Sequence, residues 1–284
     1  MKNIYKILIL GTILFSTSCE DYLDRTPLDS VSEVTFYSTP SDLQAGVNGF
    51  YNDLPGWSPL SIGFNILPDM YSDMGTAQEP SNRLSGLSYE VPTSASGSVW
   101  SWDEVREANW LLDHVDQAEG DETLIGQYTG EAYFFRAYYY FELLKKYGDL
   151  PIFPEYFDNT DEDFMISDLD TAISLLQSFP DISGHPRISK EVAQLFKARV
   201  ALYEGTWERY HRGTDFGVDG SDGTAFLQIA AEAAEDVMNG GVFSLYSDYQ
   251  TLFNQVGYSG NSEVMLWRDY NSITLNIANV IQQQ

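Results

Sequence analysis

The fold of this chain is decided by residues 130–151, which read GEAYFFRAYYYFELLKKYGDLP. Apolar residues recur along this stretch at helical spacing, and no Gly or Pro interrupts it between Gly130 and Gly148. Seven of the nine residues at 133–141 are aromatic, so apolar surface wraps nearly the whole helix. The sequence therefore predicts a helix that opens after Gly130, stops at Gly148 and is covered on several sides.

Arg136 lies in the middle of this aromatic run. A buried guanidinium needs a carboxylate or carbonyl partner, because an unpaired charge in apolar surroundings is costly. If the helix is buried as its composition predicts, Arg136 has such a partner.

The pattern Gly-Glu-Ala-x-Phe-x-Arg-Ala-Tyr-x-Tyr-Phe-x-Leu, followed by Tyr-Gly-Asp-Leu-Pro, resembles the signature helix of the SusD/RagB family. Members of that family are lipid-anchored nutrient-binding proteins on the surface of Bacteroidetes-type bacteria. The resemblance implies a mainly α fold of tetratricopeptide-like helical hairpins, an α/α superhelix with long irregular loops. It also implies that the chain captures oligosaccharides and passes them to a SusC-type TonB-dependent outer-membrane porin.

Residues 1–18 have the layout of a secretory signal peptide. Lys2 and Lys6 precede a short apolar run at 7–15, and small residues lead directly to Cys19, which is the only cysteine of the chain. The apolar run is too short to span a bilayer as a permanent helix. A lone cysteine at this place resembles a lipoprotein processing site, so we expect Cys19 to be lipidated and to anchor the protein to the membrane.

The stretch CEDYLDRTP, which begins at Cys19, resembles the mature start of SusD-like proteins. The acidic pair after the cysteine is similar to the surface-export signal of Bacteroidetes lipoproteins. These features predict a lipidated tether at residues 19–40 and a location at the outer membrane, on the cell surface. Ordinary signal cleavage beside a free thiol is the alternative.

Composition excludes several classes of function. The chain carries 15 basic and 42 acidic residues, a formal charge of −27, which argues against nucleic-acid binding. A single cysteine excludes an internal disulfide and a thiol-based metal cluster. No cofactor is expected. The 19 Tyr and 6 Trp residues exceed what a core requires and suit a surface that stacks on the flat faces of sugar rings.

Five further helices are predicted from apolar spacing and cap signals. The first two are predicted to begin at serine N-caps in capping boxes. Helix 190–207 aligns with the signature helix at a uniform offset of 61 residues, which indicates a repeated helical hairpin within a domain spanning 41–284. Three hairpins are expected, the first from the helices at 41–54 and 101–117. The five helices are Ser41–Leu54, Ser101–Gln117, Ser167–Phe179, Lys190–Trp207 and Ala225–Asn239.

Residues 57–99 are rich in Ser, Gly, Pro and Asn without a sustained period, and loops this long inside a domain are usually functional. Aromatic faces and hydrogen-bonding groups occur together here, as glycan recognition requires. The alternative is a structural loop pinned by its own aromatics. By contrast, Trp102, Asn109 and Trp110 resemble a family packing element and are assigned to the core. The candidate ligand-binding residues are Trp57, Tyr71, Asp73, Arg83 and Tyr89.

Two other functions stay open. Family members are usually much longer, so the C-terminal half of the family fold is expected to be missing, and a helical scaffold that docks on the porin without binding glycan would survive that loss. A secreted glycoside hydrolase would need two positioned carboxylates, and no motif selects a pair. The sequence also contains no nucleophile elbow and no His-Glu-x-x-His motif. We therefore expect a protein that binds and does not catalyse.

Overall fold

The computed structural model describes residues 36–55, 100–148, 150, 164–182, 187–255 and 257–268. In these residues the regular structure is helical and contains no strand, as the sequence predicted. Single 3₁₀ turns follow α1, α2 and α4, at Tyr51–Asp53, Val115–Gln117 and Phe179–Asp181. The α-helices are α1 (Pro40–Phe50), α2 (Asp103–His114), α3 (Glu122–Tyr147), α4 (Phe164–Leu175), α5 (Lys190–His211), α6 (Thr224–Asn239) and α7 (Tyr249–Phe253).

The signature helix α3 is longer than predicted. It begins after Asp121, whose Oδ1 accepts the backbone N–H of Thr123 at 2.8 Å, so the predicted start at Gly130 was wrong. Gly130 lies inside the helix because α4 comes too close for a side chain there. A Cβ at Gly130 would lie 2.9 Å from Leu176 Cγ. The predicted end is confirmed, since Gly148 is the C-cap with φ 72°.

The aromatic surface of α3 is buried on several sides, as predicted. Phe135 packs against Phe50 of α1 with ring centroids 5.6 Å apart. On another side Phe134 and Phe141 pack against Phe196 of α5 at 5.2 and 5.6 Å. The helix therefore forms the centre of the hydrophobic core, to which α1, α2, α4 and α5 all contribute.

Two of the three predicted hairpins are confirmed. Helix α3 packs along α4, α5 packs along α6, and α4 also packs on α5, so these four helices are layered in chain order. The third predicted hairpin was wrong as a pair, because α1 and α2 contact α3 more extensively than they contact each other. Each buries its apolar face on the aromatic helix.

Both predicted serine N-caps were wrong. Helix α1 is capped by Thr39, and Asp42 closes the capping box by accepting the Thr39 N–H at 2.9 Å, with Pro40 in the first turn. Helix α2 has Trp102 at its N-cap position, without a side-chain cap. Ser101 Oγ instead accepts the N–H of Asp103 at 3.2 Å, just outside the helix.

Candidate functional site

The candidate ligand-binding residues lie outside the described part of the chain, and so does Cys19. What the structure does describe is the two ends of the segment that carries the ligand-binding candidates, residues 51–55 before it and residues 100–102 after it. We call residues 57–99 the insertion. The candidate residues in it remain predictions, and they are Trp57, Tyr71, Asp73, Arg83 and Tyr89.

The entry to the insertion is fixed on α3 by hydrogen bonds. The hydroxyl of Tyr51 donates to Glu131 Oε2 at 2.9 Å, and the hydroxyl of Tyr139 donates to Asp53 Oδ2 at 2.7 Å. Arg268, far along the chain, donates from Nη2 to the carbonyl of Tyr51 at 2.7 Å. The backbone is therefore held at two residues shortly before the insertion begins.

The exit from the insertion rests on the same helix through aromatic contacts. Trp100 packs edge-to-face on Tyr147 with centroids 4.6 Å apart, and on Trp102 at 5.3 Å. Trp102 in turn packs on Tyr140 at 5.8 Å. Because both anchors are on α3, one rigid helix sets the position of both ends of the insertion.

A buried cluster around Glu131 supports the entry anchor. Arg187 binds this carboxylate with two hydrogen bonds, Nε to Oε1 at 2.7 Å and Nη2 to Oε2 at 2.6 Å. Its Nη1 donates to Asn48 Oδ1 of α1 at 2.7 Å. The guanidinium also lies over the rings of Tyr51 and Tyr128, at 5.0 and 5.2 Å from their centroids. The cluster thus joins α1, α3 and the segment before α5.

The protonation states of these groups follow from burial. Burial raises the pKa of Glu131, which has no exposed side-chain surface, while the hydrogen bonds and charge of Arg187 oppose that rise. Burial and the hydrogen bond to Asp53 also raise the pKa of Tyr139, so its phenol stays protonated and remains a donor. The groups at the entry are therefore structural donors and acceptors with satisfied partners.

A second buried ion pair holds α2 and α4 to α3. Arg136 donates from Nε and Nη2 to the two oxygens of Asp168, each at 2.7 Å. Its Nη1 donates to Asn109 Oδ1 of α2 at 2.8 Å. The predicted carboxylate partner of Arg136 is confirmed, and Asn109 has the packing role assigned to it.

Trp110 differs from its predicted place in the core. Its side chain is 44% exposed and packs on His114 with ring centroids 4.1 Å apart, while Trp102 is half-buried against the core. The face of α2 that is buried on α3 carries Val105, Ala108 and Leu111. Trp110 lies one residue before Leu111, so the helical turn of about 100° per residue moves it off that face. Sequence reasoning therefore missed Trp110 as a surface residue.

The part of the chain that the structure describes shows neither a metal-binding cluster nor a membrane-spanning helix. Within those residues, no group of three or more His, Cys, Asp or Glu side chains could hold a metal ion. None of the helices there is both long enough and apolar enough to cross a membrane.

These helices form a hairpin scaffold whose central element holds both ends of a long insertion. Residues 21–202, more than half of the chain, match a SusD-like family described as starch-binding and associating with the outer membrane. The chain belongs to this SusD-like family.

Individual relatives agree with the family match. A SusD-like protein of Bacteroides ovatus is 26% identical over 306 aligned residues, covering 96% of this chain and 53% of that relative. A laminarin-binding SusD-like protein of known structure is 22% identical, with a TM-score of 0.56, over 81% of this chain and 51% of that one. Surface glycan-binding protein A from Bacteroides thetaiotaomicron, solved with laminarihexaose, is 17% identical with a TM-score of 0.51, over 80% and 48%.

The chain spans about half the length of the curated relatives it matches, between 44% and 53% of each of the first three. The structural likeness establishes the shared helical fold.

Proposed function

We propose that this chain is a cell-surface glycan-binding lipoprotein that captures oligosaccharides and passes them to a SusC-type TonB-dependent outer-membrane transporter. The observation that carries the proposal is the anchoring of both ends of the insertion on α3, through Tyr51 and Asp53 at the entry and Trp100 at the exit. Binding groups held on a rigid element lose less conformational freedom when the ligand arrives.

The chemistry of the insertion fits this role. Trp57, Tyr71 and Tyr89 offer aromatic faces that stack on sugar rings, and Asp73 and Arg83 offer charged groups that hydrogen-bond to hydroxyls. Two structurally similar proteins are described by the glucans they bind, laminarin and laminarihexaose. A β-1,3-glucan is therefore the first ligand to try.

The mechanism is noncovalent capture at a membrane. Cys19 is proposed as the lipid-anchored residue, which places the tether at 19–40 between the outer membrane and α1. The description of the family as associating with the outer membrane supports this location. Catalysis is no part of the proposal, because a hydrolase would need a selected pair of carboxylates and the sequence offers none.

A helical scaffold that docks on the transporter without binding glycan is the second candidate. Helix α5 favours it, since Leu195, Leu202 and Tyr210 are 45%, 52% and 80% exposed along that helix. Exposed apolar side chains of this kind are available to pack against a protein partner.

The test is calorimetric titration of the full chain in detergent with four neutral hexasaccharides, laminarihexaose, maltohexaose, cellohexaose and xylohexaose. We expect saturable binding of at least one of them, reduced about tenfold or more in Trp57→Ala. A folded chain that binds none, yet still co-purifies with the transporter from outer membranes, would replace the proposal with the docking scaffold. Loss of both interactions would contradict both candidates.

A further inference from the structure

We propose a second carbohydrate subsite in the cleft between α1 and α2, formed by residues other than the candidates in the insertion. This inference rests on the proposed function, because it adds a site to the same glycan-binding activity. The cleft has a volume of about 470 Å³, inside the range of roughly 300–1,000 Å³ usual for small-molecule sites. We call it the α1–α2 cleft, and it is lined by Tyr37, Gly46, Phe50, Asp103, Arg106, Glu107 and Trp110.

Three polar groups at the cleft have no hydrogen-bond partner among the described residues. They are the hydroxyl of Tyr37, the carboxylate of Glu107 and the indole N–H of Trp110. Most of the Tyr37 side chain is buried, with 8% of the residue exposed, but its hydroxyl oxygen is open to the cleft. Water satisfies these three groups in the free protein, and a ligand that replaces the water can hydrogen-bond to them.

The position of Tyr37 depends on a glycine in α1. A Cβ at Gly46 would lie 2.9 Å from Tyr37 Cε1 and 3.2 Å from its hydroxyl oxygen. The absence of a side chain at Gly46 therefore allows the Tyr37 ring to lie against α1. Burial, with a smaller contribution from the charge of Glu107, raises the pKa of Tyr37, so the phenol stays protonated as a donor.

Trp110 supplies an aromatic surface that is already fixed in place. His114 packs on it at 4.1 Å with 36° between the ring planes, and His114 Nδ1 lies 2.7 Å from the carbonyl of Trp110. The remaining exposed part of the indole lines the cleft. An aromatic ring held in this way loses little freedom on stacking against a ligand.

The charges of the cleft favour a neutral polyhydroxylated ligand. Arg106 is paired with Asp103 at the rim, and Glu107 adds a second carboxylate. An anionic ligand would meet two carboxylates and one cation that is already paired, in a chain of formal charge −27. A neutral sugar offers hydroxyls that both accept from and donate to these groups, and a ring face that packs on Trp110.

The experiment compares four proteins by calorimetric titration with the same four hexasaccharides. They are the unchanged full chain, Trp57→Ala, Trp110→Ala and the double variant. We expect Trp110→Ala to weaken binding roughly threefold to tenfold, the effect of one aromatic contact. The Trp57→Ala variant should retain a weak site, and the double variant should retain none.

Trp207→Ala is the matched control, because Trp207 is similarly exposed at 37% but lies on α5, away from the cleft. It should bind as the unchanged chain does, and Glu107→Gln should lose affinity about threefold without a change in melting temperature. If Trp110→Ala and Glu107→Gln both bind normally while Trp57→Ala loses all binding, the cleft is not a subsite and the proposed function stands. If the unchanged chain binds none of the hexasaccharides, the proposed function and the subsite fail together.

Discussion

The two helical hairpins, α3–α4 and α5–α6, share a sequence pattern but lie in different surroundings. Arg136 of α3 and Lys197 of α5 are equivalent at the 61-residue offset, and both bind an aspartate of α4. Arg136 and Asp168 have side chains only 8% and 5% exposed. The side chains of Lys197 and Asp170 are 18% and 56% exposed.

The difference shows that position in the stack decides what an equivalent residue contributes. The first hairpin is covered by α1 and α2 on its other side, so its cation is buried and needs two hydrogen bonds to one carboxylate. The second hairpin leaves much of α5 exposed, so a single flexible ammonium suffices there. Breaking the buried Arg136–Asp168 pair is costly because it leaves an unpaired charge in the core, whereas ion pairs with an exposed partner contribute little to stability.

The largest expected effect comes from removing the buried cation. Arg136→Met leaves Asp168 buried without its cation and removes the hydrogen bond from Nη1 to Asn109, so we expect the free energy of unfolding to fall by about 3–5 kcal/mol. Lys197→Met, at the equivalent position whose aspartate partner is 56% exposed, should cost less than about 1 kcal/mol. Urea denaturation at pH 7 measures both.

A double variant separates the loss of attraction from the cost of an orphaned charge. When Asp168→Leu is added to Arg136→Met, no unpaired carboxylate remains in the core, and a large part of the lost stability should return. Equal losses for the arginine and lysine variants would contradict the comparison, since the two pairs would then contribute alike despite their unequal burial.

A smaller loss of stability is expected when a side chain is added at a glycine where α3 packs on α4. A Cβ at Gly130 would lie 2.9 Å from Leu176 Cγ and 3.2 Å from the carbonyl of Ala172, so Gly130→Ala should destabilise by about 1–3 kcal/mol. Gly126, one turn earlier, is the matched control. Its added Cβ would be 3.6 Å from the nearest atom, the carbonyl of Leu175. Gly126→Ala should be neutral or stabilise by up to about 1 kcal/mol.

Thermal unfolding of the two alanine variants gives the comparison directly. Helix propensity alone would make both substitutions stabilising, since both glycines are inside α3. If Gly126→Ala stabilises the protein and Gly130→Ala destabilises it, the difference shows that α4 packs closely on Gly130. If both variants are stabilised, α4 lies farther from Gly130 than described.

Much of the α3–α4 hairpin could be predicted because its signals are local or strongly periodic. The end of α3 at Gly148 and the burial of Phe135 and Tyr139 follow from spacing and composition. The carboxylate partner of Arg136 follows from the cost of an unpaired buried charge. Its identity as Asp168 did not follow, because sequence periodicity does not show which residue of another helix faces it.

Predictions failed at residues whose type can serve more than one structural role. Gly130 looked like a helix boundary, but the structure uses it for close packing inside α3. Thr39 and Ser41 are both good N-caps two residues apart, and Pro40 in the first turn favours the earlier one. Trp110 looked like core in a family packing motif, and only the rotation of α2 against α3 places it at a cleft.

The smallest expected change in stability concerns the link between the two hairpins, where Glu191 binds the segment that follows α4. Glu191, in the first turn of α5, accepts hydrogen bonds from the hydroxyl of Ser178 and from the N–H of Phe179 at 3.0 Å. Burial alone would raise the pKa of this carboxyl, but the hydrogen bonds from Ser178 and the backbone outweigh it and lower the pKa. The ionised carboxylate therefore stabilises the fold above the ordinary glutamate pKa, and this contribution is lost as the pH falls through the lowered value.

Glu191→Gln should therefore cost about 1 kcal/mol at pH 7, the order of one charge-assisted hydrogen bond. As the pH falls from 6 to 3, the stability difference between the two proteins should shrink, because protonated Glu191 and glutamine make similar neutral hydrogen bonds. Urea denaturation at several pH values measures this difference. If the difference in free energy of unfolding between the two proteins stays constant down to pH 3, the charge of Glu191 does not stabilise the link between the hairpins. Packing of Phe179 would then hold that link.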